Sequence, residues 1–248
     1  MWETAAIVLC LYACFLFGAP IVLLQTFRRP LTPLWYVSEG DFDLDARARD
    51  YFAEQQPMLE RCGYEVTQTL WCDPVAEGMQ AYARMMFNPD TLDLAMIMSA
   101  VAPVALGYVE FHQEFADGTI INTQNGKMLP QDLMFRPGKH TFWFPPLNDI
   151  RELNQHHRDL TRHMGAGKQP VAPPRNAMLE LVQQDSRLDY EASVARGLLT
   201  LDRATEVVRM TPKGAFLLTC TILWPMGLVL KARRRMKDRR ALDQAHGH

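Results

Sequence analysis

Glu110, His112 and Glu114 form the strongest chemical pattern in the sequence. They lie in "YVEFHQEF", whose alternation predicts a β-strand, so a period of two sets all three on one face together with Tyr108. A carboxylate–imidazole–carboxylate row can ligate a metal, or raise the imidazole pKa for acid–base work. The Asp117-Gly118 pair that follows marks a hairpin, and as a two-residue turn it sets Thr123 opposite His112. The plainer reading is preferred: this is the wet side of a half-buried sheet, where charged residues belong.

A second set is His156, Asp159 and His163 in "LNDIRELNQHHRDLTRHM". Spacings of three and four put two imidazoles and a carboxylate along one helix edge, a second metal candidate. His157 falls on the apolar stripe itself and reads as a core residue. Cys62 and Cys72 are an even pair, a candidate disulfide if the compartment is oxidising, with two thiols as the competing reading. Ser38, Ser99, Ser186 and Ser193 have no base near them in sequence. Asp41, Asp43 and Asp45 suggest a calcium loop, but Ala46 stands where its turn needs glycine. Gly167-Lys168 lacks the remaining residues of a phosphate loop. No dinucleotide fingerprint, Cys-x-x-Cys or haem motif occurs, and no cofactor is expected.

The elements that must carry these residues read as an α+β fold. Residues 64–125 predict an antiparallel β-meander of about five strands. Helices over 43–62, 147–164 and 175–196 are expected to cover one face of it. With a linker over 30–42, this makes a soluble domain of residues 30–212. Two apolar stretches flank it. Residues 5–25 contain an uncharged run long enough to cross about 30 Å of hydrocarbon as a helix. Residues 214–230 predict a second transmembrane helix, interrupted by Trp224-Pro225.

Charge orients this layout. The chain has 248 residues and a net charge of −2, yet "KARRRMKDRR" at 231–240 carries +6, leaving −8 elsewhere. The bias of basic residues towards the cytoplasm places both termini there and the middle domain outside, with 231–248 as a basic tail. Arg233, Arg234, Arg235 and Lys237 are candidate contacts to anionic lipid headgroups, each contributing about 1 kcal/mol. No aromatic platform accompanies them, so no nucleic acid partner is expected.

One stretch, "VARGLLTLDRATEVVRMTPKGAF" from Val194 to Phe216, resembles the tail of a winged-helix domain. That resemblance implies DNA contact, but no recognition-helix pair precedes it, and a two-stranded hairpin beside the membrane accounts for the same residues. The whole layout is similar to that of bacterial membrane-anchored proteins. The functional expectation is therefore a membrane-anchored, non-enzymatic interaction, accessory or sensing domain, partnered by the bilayer and by a larger membrane assembly. Two alternatives stand beside it. One is a metal-dependent or acid–base enzyme using Glu110, His112 and Glu114. The other is a domain that binds lipid or a small ligand beneath its helices.

Overall fold

The structure is a computed structural model that describes residues 2–40, 44–76, 79–101, 106–126, 134–145, 147–222 and 226–246. The chain folds as two compact units, each assembled from separated stretches. One comprises Met1–Pro33, Leu129–Pro137 and Ser186–Arg234; the other comprises Leu34–Met128, Gly138–Asp185 and Arg235–His248.

The larger unit is built on a seven-stranded sheet of β2 (Trp35–Val37), β3 (Glu65–Ala76), β4 (Met79–Asn88), β5 (Asp93–Val101), β6 (Leu106–Glu114), β7 (Ile120–Gln124) and β8 (Lys139–Trp143), in that spatial order. The first six strands pair antiparallel, and β8 joins β7 in parallel. This corrects the expected five-stranded antiparallel meander. The stretches read as strands form β3–β7. The additional edge strands lie in stretches read as a linker and a loop, where three to five residues are too few to show a period.

Helices cover both faces, not one. Along α2 (Ala46–Arg61) the buried positions Ala48, Phe52, Gln55 and Leu59 recur at helical spacing. The Asp45 carboxylate caps this helix by accepting from the Arg47 N–H at 2.9 Å. Asp41 and Asp43, which the sequence offers as caps for this helix, lie outside the described residues. In α3 (Ile150–Met164), Asp149 caps the start and Ile150, Leu153, His157 and Leu160 are buried. Both helices pack on the face that presents Tyr82, Met86, Ala95, Ile97, Val109 and Phe111. The opposite face presents Leu70, Ala83, Met85, Phe87 and Leu94, and the first turns of α4 (Met178–Ala195) cover it with Met178, Leu179, Leu181 and Val182. A sheet buried on both faces must be apolar on both, which is why β4 and β5 read as nearly continuous apolar runs.

The smaller unit holds a three-stranded antiparallel sheet in the order β1 (Arg28–Pro30), β10 (Val207–Met210), β9 (Leu199–Asp202). α1 (Trp2–Thr26) leads into β1, and α5 (Pro212–Ile222) follows β10 and packs on α1. Gly214 is required at the start of α5. A Cβ there would stand 2.1 Å from the carbonyl oxygen of Leu198.

Among the described residues no helix is long and apolar enough to cross a membrane. Of the expected second span, 214–230, the described residues form α5 as far as Ile222 and α6 (Met226–His246) from Met226. The Trp224-Pro225 interruption lies outside the described residues. The first stretch does form α1, 25 residues with Pro20 inside. The two-span arrangement is corrected accordingly. The extracytoplasmic middle and cytoplasmic termini fall with it, because they rested on the spans.

The basic tail is likewise not a loose appendage. It is helical to His246. Asp238 is buried and accepts the Trp143 N–H at the edge strand β8 (3.2 Å). Leu242 packs with Phe115, Ile121, Phe142 and Leu160.

Candidate functional site

The Glu110, His112 and Glu114 side chains share one half-buried face of β6, as alternation requires. The register differs from expectation by one residue. His112 pairs with Asn122, and Phe111 pairs with Thr123. The cause is the turn. Phe115 and Thr119 form the closing hydrogen bond (2.9 Å), so the loop has three residues, Ala116-Asp117-Gly118, with Gly118 at φ +80°. A one-residue slip moves every partner to the other face, and Thr123 therefore points away from His112.

Asn122 fills the place expected for Thr123. Its amide donates to Glu110 Oε1 at 2.7 Å, and its carbonyl lies 3.0 Å from His112 Nδ1. Because the amide nitrogen is committed to Glu110, Nδ1 carries the proton and donates to the Asn122 carbonyl. Glu110 and His112 are thus coupled through one shared amide, and Glu114 is not part of that link. Among the described residues no group of three or more His, Cys, Asp or Glu is placed to hold a metal ion.

The α3 candidates also divide. His156 sits against the Phe144 ring (5.0 Å between centroids), and its Nε2 lies 3.8 Å from Glu152. Burial holds the His156 pKa below its ordinary value, against the pull of Glu152. Asp159 instead accepts from Gln155 (2.9 Å) and Arg162 (3.1 Å), and its other oxygen meets His246 of α6 at 3.1 Å. Cys62 and Cys72 are both thiols, so the candidate disulfide does not form. Cys62 follows α2, and Cys72 is buried on β3 opposite Trp35.

A polar centre that sequence reasoning missed lies between α3 and the sheet. Asp93 accepts from the Tyr64 hydroxyl at 2.7 Å and from the Thr91 hydroxyl. Tyr64 also reaches Asn154 at 3.2 Å. His157 Nδ1 meets the Thr123 hydroxyl at 3.0 Å, and Nε2 lies 3.5 Å from Asp93 without a hydrogen-bond partner. Burial drives each shift. It raises the Asp93 pKa, lowers that of His157 to about 3, and raises Tyr64 well above its usual range. The one available signal was His157 on an apolar stripe, which demands a buried partner. The centre is closed to solvent.

What the chain presents outward is of a different kind. Leu228, Val229 and Leu230, consecutive on α6, are 57%, 49% and 43% exposed. Phe216 on α5 and Ile21 and Val22 on α1 are also exposed. Immediately after Leu230, α6 carries Lys231, Arg233, Arg235, Lys237, Arg239 and Arg240 exposed, with Arg234 half-buried. Within the smaller unit, Lys231, Arg233 and Arg234 thus follow directly on Leu228–Leu230.

No protein-family model matches the chain, and no significant match exists among curated proteins or among solved structures.

Proposed function

We propose that this chain is a non-enzymatic interaction module that attaches to an anionic lipid surface without crossing it. The observation that carries the reading is the exposed apolar turn Leu228–Leu230 running directly into the basic stretch of α6. Apolar side chains entering the acyl boundary and basic residues at the headgroups are the two parts of interfacial attachment. Each basic residue near such a surface contributes about 1 kcal/mol, and each fully buried Leu or Val about 1.5–3 kcal/mol. Arg233, Arg235 and Lys237 keep the role expected of them, with Arg234 beside them, but on a helix that is part of the fold. The acid–base alternative finds less support, because Glu110 and His112 are engaged with Asn122 rather than aimed at a common point.

Co-sedimentation of the full chain with vesicles tests this. The chain is expected to bind phosphatidylcholine vesicles containing anionic lipid, to lose most of that binding when the salt is raised, and to bind pure phosphatidylcholine weakly. Equal binding to neutral and anionic vesicles, or none to either, defeats the proposal. Retention on single-stranded nucleic acid in place of anionic vesicles would reassign the surface.

A further inference from the structure

β1 and β10 set Arg28 directly opposite Arg209. Partners in an antiparallel pair project from the same face about 5 Å apart. Both side chains are exposed, and Thr200 continues the exposed row on β9. The nearby carboxylate is Asp202, on the diagonal, 3.9 Å from Arg209. Among the described residues no carboxylate pairs with Arg28. Two guanidinium groups side by side repel and destabilise the ladder. An anion between them reverses that sign, and the planar donor forks of arginine match phosphate oxygens. Both strands also lead straight into helices. α1 ends at Thr26, just before Arg28, and α5 starts at Pro212, just after Met210. Those helices pack together and carry exposed Ile21, Val22 and Phe216 near these junctions.

We infer that Arg28 and Arg209 form a binding site for the phosphate of an anionic lipid headgroup, with the exposed side chains of α1 and α5 entering the acyl boundary beside it. This inference rests on the lipid-surface reading above and adds to it a second contact with defined headgroup chemistry. It also accounts for a like-charge pair that the fold alone has no use for.

The test compares the full chain with R28Q/R209Q and R28K/R209K. Binding is measured to phosphatidylcholine vesicles doped to equal surface charge with phosphatidic acid or with oleic acid. R28Q/R209Q is expected to lose about fivefold in affinity per guanidinium, about thirtyfold in all, on phosphatidic acid. The loss on oleic acid is expected to be smaller, and R28K/R209K is expected to recover only part of the phosphatidic acid binding, because it keeps charge without the fork. The melting temperature of R28Q/R209Q is expected to equal or exceed that of the wild type, which separates lost binding from lost folding. Wild-type binding to phosphatidic acid with R28Q/R209Q within twofold of it overturns this site and leaves the broader reading standing. Failure of the wild type on every anionic vesicle overturns both. Displacement of the protein by inorganic phosphate at low millimolar concentration reassigns the pair to free phosphate and overturns the headgroup assignment.

Discussion

Asp93 and His157 stand 3.5 Å apart in the core, with side chains 3% and 1% exposed. Their pKa shifts act on stability in opposite directions. His157 has a folded pKa of about 3, below the unfolded value of 6.5. Between those values the unfolded chain binds the proton more readily, so the folded state loses stability as pH falls through that window. Asp93 is raised by burial, so it binds a proton more readily when folded, and its penalty is relieved as pH falls through its folded value. The histidine window opens at pH 6.5 and closes near pH 3. Urea denaturation is expected to show lower stability at pH 5 than at pH 7.5, and His157→Gln is expected to shrink that difference. An unchanged pH difference in the variant would count against the assignment.

Two glycines separate two kinds of requirement. Gly214 has a backbone carbonyl 2.1 Å from where a Cβ would stand, whereas Gly118 has open space and φ +80°. Gly214→Ala must displace the start of α5 and is expected to cost about 3 kcal/mol. Gly118→Ala meets only backbone strain and is expected to cost about 1 kcal/mol. Thermal denaturation of the two variants should rank them in that order.

Asp238 closes the open edge of β8 by accepting the Trp143 N–H. Asp238→Ala removes that acceptor, at a cost of about 1–3 kcal/mol. Asp238→Asn keeps an acceptor oxygen and should lie nearer the wild type. Hydrogen exchange at the Trp143 amide is the direct readout, with faster exchange expected in the alanine variant.

Leu228→Asp/Val229→Asp places two carboxylates on an exposed turn and should leave the melting temperature within about 1 °C of the wild type, since surface changes are usually within ±0.5 kcal/mol. On anionic vesicles the same variant is expected to lose at least tenfold in affinity, through lost apolar insertion and added repulsion. Vesicle binding within twofold of the wild type would remove these side chains from the docking surface.

The long elements were legible because their periods are long. The stretches forming β3–β6 and the helices α2–α4 each span enough residues for alternation or a stripe to emerge, and the five-residue β7 was announced by the Asp117-Gly118 turn before it. β1, β2 and β8 have three to five residues apiece and showed none. The face shared by Glu110, His112 and Glu114 followed from alternation alone. The partner across from it did not, because a two-residue and a three-residue loop through Asp117-Gly118 look alike in sequence and differ by one step of register. The Tyr64–Asp93–His157 centre joins residues from three distant elements, so no local pattern announces it. Apolarity in 5–25 and 214–230 was plain, whereas the buried positions of Asp238 and Leu242 lie within a stretch that composition marks as basic.

The pairing of β1 with β10 also fixes an order of events during synthesis. Arg28 leaves the ribosome long before Arg209, its ladder partner, exists. At usual elongation rates the wait is on the order of 10–40 s. Throughout it α1 lacks α5, the helix it packs on, and closing so long a loop is slow. A nascent apolar helix held unpartnered for that time needs a temporary shelter, from a chaperone or from the lipid surface itself. Chains ended before β10 are accordingly expected to aggregate rather than to accumulate as a smaller folded product.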